Sequence, residues 1–258
     1  MSTSQSFDRA ADYYDDTRTT DPATMQRILG ILEGIARAVP DRPILEIGVG
    51  TGQLAVPLRA GRIPVVGIDL SAAMMAKLRA KPGGGAVPLV RGDATRLPFP
   101  DGAFGGAYVR WVLHLIANWI DAVRELGRVV MEEGRIAVEP RVESRASAAV
   151  QRRFREVLGE GARSTGMDLD EDPLLDAAMA DAGRSLLEVI EIPYEREVRL
   201  RDLFDRADRR EYSWTWRVPE DALAAAIPEV RAWAAERWDL DEPQPAIPTR
   251  WRVYGRAA

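Results

Sequence analysis

Between residues 44 and 140 short apolar runs alternate with stretches of helical periodicity, and no other feature constrains the fold of this chain as strongly. Such alternation is the sequence form of a parallel sheet whose strands are joined by crossover helices. ILEIG (44–48) is the first strand, and Pro43 just before it suits a strand start. A helix is expected over 53–60, with Pro57 inside it. PVVGIDL (64–70) is strand two, after which Ser71 caps a helix through Ala80 whose apolar side is Met74, Met75 and Leu78. PGGG (82–85) turns the chain into strand three, AVPLVRG (86–92). The proline-rich loop RLPFPDGAF (96–104) leads into strand four, read over GAYVRWVLHL (106–115). A helix over 118–131 puts Ile120, Val123, Leu126, Val130 and Met131 on one buried face, and RIAVEP (135–140) is strand five. Five strands with right-handed crossovers make a doubly wound sheet, whose ligand crevice lies beyond the carboxyl ends of the strands.

Polar residues gather at those ends. Strand one runs into the turn Gly48-Val49-Gly50-Thr51-Gly52, two residues after Glu46. Without Cβ atoms, such a turn lets backbone approach a ligand and presents amides at a helix start. Strand two ends in Asp69, where a carboxylate can accept two hydrogen bonds from a ribose diol. Strand three ends in Gly92-Asp93-Ala94, placing a second carboxylate beside the same crevice, able to accept from an amino group on a base. Each piece alone has an ordinary structural explanation, but three successive strands ending in matching polar groups point to a nucleotide.

Composition narrows the chemistry. With no cysteine and one histidine in 258 residues, a thiol nucleophile, a disulfide framework, a cysteine-rich zinc site and a two-histidine metal site are excluded, so no metal is expected. A Ser-His-Asp relay would have only His114 to use. The length allows one large domain, or one with a sizeable appendage. The net charge of −5 speaks against a protein that grips nucleic acid by neutralising phosphates. Of 35 basic residues only Lys77 and Lys81 are lysines, a bias that codon usage explains. The most apolar stretch, 109–120, contains His114 and Asn118 and falls far short of the ~20 residues of a membrane span. The polar, acidic start MSTSQSFDRAADYYDD lacks the pattern of a signal peptide, and a soluble cytoplasmic protein is expected.

A dinucleotide fingerprint would require glycine at position 53, which is Gln53, and this counts against a nicotinamide oxidoreductase. The segments ILEIGVGTGQLAVPL, VVGIDLSAAMMAKLR and GDATRLPFPDGAFGGAYV instead resemble, in order and spacing, the first three cofactor motifs of the class I S-adenosylmethionine-dependent methyltransferases, over residues 44–140. The resemblance implies a Rossmann-like α/β sheet of seven strands, mostly parallel with an antiparallel last strand, and S-adenosyl-L-methionine as cofactor, leaving as S-adenosyl-L-homocysteine. It implies that Gly48, Gly50 and Gly52 form the loop at the methionine moiety, with Glu46 beneath it. Asp69 would hold the ribose hydroxyls, Leu70 pack on the adenine, Asp93 accept from the adenine amino group and Ala94 supply an amide. FDRAADYYDDTR (7–18) is similar to the leading segment of many small-molecule members, which makes Tyr13, Tyr14 and Arg18 candidates for closing over the cofactor and meeting its carboxylate. The chain departs from the family pattern at Gly105, where Asp is usual after the phenylalanine, and at Glu132-Glu133-Gly134, where Pro-Gly-Gly is common in the loop before strand five.

Beyond strand five the alternation breaks. A helix over 147–158 shares Val150, Phe154 and Leu158 on one face, another is expected over 173–183 with a glycine C-cap, and strands follow over 185–195 and 249–255. The expected organisation is one domain over 1–258, with a helical closing segment (1–40), a cofactor-binding core (41–140) and cap insertions over 141–171 and 199–248. The second insertion carries Phe204, Tyr212, Trp214, Trp216, Trp233 and Trp238, an aromatic lining for a pocket or simply large side chains that pack a lid. Arginines at 206, 209, 210 and 217 read best as a solvated face. The sulfonium is an activated donor, so the protein mainly aligns an acceptor and excludes water. His114 falls beside the acceptor position and is the candidate base, with Arg110 and Trp111 flanking it as substrate contacts. The resulting expectation is methyl transfer to O, N or C of a small molecule. The alternatives are a tRNA or protein acceptor and a non-catalytic nucleotide-binding protein.

Overall fold

All four residues of β1 (Ile44–Ile47) are buried, as a strand covered on both faces requires. In the computed structural model, which describes residues 4–18, 20–140, 143–168, 171–193, 198–245 and 248–256, this strand is an interior strand of a seven-stranded sheet. Around it lie the helices α1 (Tyr14–Thr17), α2 (Pro22–Ala38), α3 (Ala55–Ala60), α4 (Ala72–Ala80), α5 (Trp119–Val129), α6 (Arg145–Leu158), α7 (Asp172–Asp181), α8 (Leu200–Asp208) and α9 (Glu220–Ala235). The remaining strands are β2 (Val65–Asp69), β3 (Leu89–Arg91), β4 (Phe104–Arg110), β5 (Val130–Glu139), β6 (Ser185–Ile192) and β7 (Thr249–Gly255), in the order β3-β2-β1-β4-β5-β7-β6. Only β7 runs antiparallel to its neighbours β5 and β6.

Strand order reverses between β1 and β4, and the crevice of a doubly wound sheet opens at such a switch point. Because β6 is antiparallel to β7, it runs parallel to β5 and ends at the same sheet edge. Both long connections, after β5 and after β6, therefore leave the sheet beside the crevice. Their helices α6, α8 and α9 share a core of their own, in which Val150, Phe154, Leu203, Phe204, Leu223 and Val230 are buried. At ~1.5–3 kcal/mol per large side chain buried, this core holds together two segments some fifty residues apart in sequence.

Several boundaries differ from the sequence expectation. Strand four ends at Arg110 and not at residue 115, because Trp111 takes a left-handed φ of 54° and the chain continues as a 3₁₀ turn, Leu113–Leu115. Leu113, inside the expected strand, and Ile116 just beyond it are buried against the α5 side of the sheet. Strand three covers 89–91 only, since Pro88 has no N–H to give the ladder and Gly84–Ala86 form a 3₁₀ turn. Residues 132–134 are an irregularity within β5 rather than a loop before it. Gly105 also has a steric reason: a Cβ there would stand 2.7 Å from the Val39 carbonyl and 2.9 Å from Arg42 Cβ, leaving no room for the usual Asp. Within the helical closing segment expected over 1–40, residues 7–18 form a 3₁₀ turn (Asp8–Ala10) and the single-turn α1. Residues 194 and 195 at the end of the expected sixth strand, and parts of the terminal and insertion segments, lie outside the described residues.

Candidate active site

The turn after β1 carries left-handed φ at Gly48 (68°), Gly50 (51°) and Gly52 (77°), a backbone that side chains with Cβ resist. A Cβ on Gly48 would stand 2.4 Å from Val112 Cγ2, and one on Gly52 would stand 2.6 Å from Leu78 Cγ. Gly48 therefore lets the turn lie against the segment after β4, and Gly52 lets α4 close on the turn.

Asp69 at the end of β2 accepts from the Gly50 amide on Oδ2 and from the Ser71 amide on Oδ1, both at 2.8 Å. A carboxylate offers about four acceptor sites, so capacity remains for donors in the crevice. Burial pushes the Asp69 carboxyl above its ordinary range. At the end of β3 Asp93 Oδ1 accepts from the Thr95 amide at 3.0 Å and its hydroxyl at 2.9 Å. These groups open on a cavity of about 340 Å³.

Of the residues expected at the site, Tyr14, Arg18, Gly48, Gly50, Asp69, Leu70, Asp93, Ala94, Arg110, Trp111 and His114 line this cavity. Tyr13, Glu46 and Gly52 are not on its wall. Gly52 is spent on packing, as its contact with Leu78 shows. Glu46 lies beneath the turn, buried, accepting from the Tyr108 hydroxyl at 2.8 Å. Burial, opposed by that hydrogen bond, pushes its carboxyl up to about 8. A carboxyl raised in this way supports the fold at acid pH, and that support is lost as pH rises from the unfolded value of 4.5 towards 8. Glu46→Gln removes the titration, so its melting temperature relative to the parent should climb between pH 5 and pH 9, by on the order of 5 °C. A difference that stays constant with pH would refute a proton held by Glu46.

The N-terminal segment straps the crevice from one side to the other. Asp8 accepts from the Ser71 hydroxyl at 2.6 Å and the Ala73 amide at 3.2 Å, and Asp15 accepts from the Thr51 hydroxyl at 2.6 Å. The chain's two lysines both serve here: Lys77 pairs with Asp12 and Lys81 with Asp15, each at 2.7 Å. Towards the cap, Gln5 Nε2 donates to the Ser213 carbonyl at 2.9 Å and Phe7 meets Trp216 edge-on at 4.9 Å between centroids. Tyr14 belongs to this strap and lines the cavity, its phenol pushed up to about 12 by burial, so it places no charge near Asp69.

The other half of the cavity belongs to β4, β5 and the cap. Arg110 donates from Nε to Glu139 Oε2 at 2.8 Å, with the side chains 7% and 1% exposed, and its guanidinium lies 4.0 Å over the Trp111 ring. Thr249 also donates to Glu139, and Thr20 accepts from Arg110 Nη2 at 3.0 Å. His114, on the 3₁₀ turn, lines the cavity together with Trp111 and Val112. From the cap come Glu143, Ser144, Ser147, Gln151, Arg206, Tyr212 and Trp214. Of the cap aromatics only Tyr212 and Trp214 reach the cavity. Phe204 is in the cap core, Trp216 donates to the Arg210 carbonyl at 2.7 Å, and Trp233 packs on Trp238. Arg206 lines the cavity although the sequence groups it with the solvated arginines. Arg206 and Arg209 both pair with Glu211, and burial separates them: the Arg206 side chain is 18% exposed and that of Arg209 60%, a difference that residue type does not signal. Glu139 also lines the cavity, and its place at the end of β5 is a signal that the sequence carries. Glu143 and Gln151 carry no such signal. Among the described residues no cluster of His, Cys, Asp or Glu could hold a metal ion, and no helix is long and apolar enough to cross a membrane.

Residues 45–138 match a family of sequences described as a methyltransferase domain. A demethylmenaquinone methyltransferase of Mycobacterium tuberculosis is 34% identical over 133 residues, which are 51% of this chain and 55% of that protein. The chain thus matches about half the length of these curated relatives. Among solved structures, the CcbJ methyltransferase of Streptomyces caelestis aligns over 100% of both chains with a TM-score of 0.59 at 20% identity. The [4+2]-cyclase SpnF covers 90% of this chain and 82% of its own with a TM-score of 0.53 at 19% identity, so the fold is shared by proteins named for different reactions. The match to a methyltransferase domain thus falls on the segment that carries β1 to β5, within a sheet of Rossmann-like order.

Proposed function

We propose that this chain, built on a class I methyltransferase domain, transfers a methyl group from S-adenosyl-L-methionine to O, N or C of a small molecule held between the sheet edge and the helical cap. The observation that carries this reading is the single cavity in which the Gly48–Gly50 turn, Asp69 and Asp93 face Arg110, His114 and the cap. The donor set fits an adenosyl ligand: a carboxylate with spare acceptor capacity for a ribose diol (Asp69), a carboxylate and an amide for an adenine edge (Asp93, Ala94) and a guanidinium for an amino-acid carboxylate (Arg18). When bound, the cofactor supplies a methyl group already activated on a sulfonium.

The protein's own contribution is alignment and exclusion of water. The strap and the cap cover the crevice, and holding an acceptor atom in line with the methyl group can contribute ~7–11 kcal/mol. His114, half-buried on the cavity wall, takes the acceptor's proton or orients its lone pair. His114→Ala should then lower kcat about 100-fold while leaving S-adenosyl-L-homocysteine affinity unchanged. Undiminished turnover across pH would remove the role. An acidic chain with a covered cavity favours a small acceptor over a nucleic acid.

The test is to incubate the protein with S-adenosyl-L-methionine and pools of small acceptors and to assay S-adenosyl-L-homocysteine release. Acceptor-dependent release supports methyl transfer. Cofactor binding without release from any pool, at protein concentrations that give one turnover, would leave the non-catalytic reading in its place.

A further inference from the structure

Two guanidinium groups in the acceptor half of the cavity are built alike. Arg110, at the end of β4, gives Nε to Glu139 and stacks 4.0 Å over Trp111. Arg206, on α8, gives Nε to Glu211 Oε2 at 3.1 Å and stacks 4.7 Å over Tyr212. Their side chains are 7% and 18% exposed, and both line the cavity. Each keeps one buried nitrogen, Nη1 of Arg110 and Nη2 of Arg206, with no hydrogen-bond partner among the described residues.

A buried donor left unpaired carries its full desolvation cost, which a ligand oxygen recovers on binding. Each guanidinium is already fixed through Nε and through a ring face, so little freedom is lost when its remaining N–H groups engage. Bonds from guanidinium to an anionic oxygen are about twice as strong as those between neutral partners. Tyr212 and Trp214 lie nearly parallel, with rings 6.2 Å apart and 13° between planes, and with Trp111 they give the cavity flat apolar walls. Resting on the methyl-transfer reading, we infer that the acceptor is a planar conjugated molecule bearing an acidic oxygen, a carboxylate or an ionised phenol, received by Arg110 and Arg206.

The experiment is calorimetric titration of the whole protein, saturated with S-adenosyl-L-homocysteine, at pH 8. The probes are 4-nitrobenzoate, 4-nitrophenol, 4-nitrobenzamide and 4-nitrobenzylamine. At least one of the two anions should bind tenfold or more tighter than the amide and the amine, and which anion does so separates carboxylate from phenolate. Arg206→Gln should reduce that anion to the level of the amide with S-adenosyl-L-homocysteine affinity unchanged, and Arg206→Lys should restore only part of the preference. If the amide or the amine matches both anions, or if no probe binds, the inference is overturned while the methyl-transfer reading stands. If Arg206→Gln binds the preferred anion as the parent does, the inference is likewise overturned. Failure of S-adenosyl-L-homocysteine itself to bind sinks both. Should Arg206→Gln fail to fold, the probe series on the unaltered protein decides.

Discussion

Arg110→Ala is expected to lower the unfolding free energy by about 3–5 kcal/mol, the cost of leaving one member of a buried ion pair alone. Glu139 is 1% exposed, holds Arg110 Nε at 2.8 Å and accepts as well from the Thr249 hydroxyl. Burial already pushes the Glu139 carboxyl above its ordinary range, with the guanidinium opposing the shift. Without Arg110 the carboxyl rises further, so in the variant the folded state holds a proton that the unfolded chain releases. The deficit should accordingly be larger at pH 8 than at pH 5. Adding Glu139→Gln removes the charge that was stranded, and the double variant should recover part of the loss. Thermal and denaturant unfolding of the single and double variants checks this. A double variant no more stable than Arg110→Ala would show that the loss comes from packing over Trp111 and not from the pair.

Asp69→Ala is expected to weaken S-adenosyl-L-methionine binding at least tenfold, by the ~1.5–3 kcal/mol of hydrogen bonds to a charged group. The structure gives the carboxylate a second task, since it accepts the amides of Gly50 and Ser71 and so joins the glycine turn to the start of α4. The alanine variant loses both functions. Asp69→Asn keeps one acceptor oxygen and no charge, and should fall between parent and alanine. An alanine variant that is folded, as its far-ultraviolet circular dichroism would show, and that binds with an unchanged dissociation constant would refute the assignment.

Much of the crevice was legible because its residues stand where the chain changes state. Asp69 and Asp93 close strands, Ser71 opens a helix and accepts the Met74 amide at 3.1 Å, and the last strand was read over its observed span, 249–255. Local pattern could not show where β4 stops, because Leu113 and Ile116 are apolar for packing beyond the strand, and the turn at Trp111 has no signal in residue type. The joint core of α6, α8 and α9 was hidden for a different reason. Its contacts link helices whose apolar faces are each ordinary, and only the direction of β6 brings them to one sheet edge. Distance in sequence likewise conceals the resemblance between Arg110 and Arg206, which both line the cavity.

Calorimetric titration of the protein with S-adenosyl-L-homocysteine and, separately, with NADH tests the central claim most directly. The expected result is saturable binding of S-adenosyl-L-homocysteine at one site per chain and no heat from NADH, because Gln53 occupies the position where a dinucleotide fingerprint needs glycine. Tight NADH binding with no response to the adenosyl ligand would contradict it.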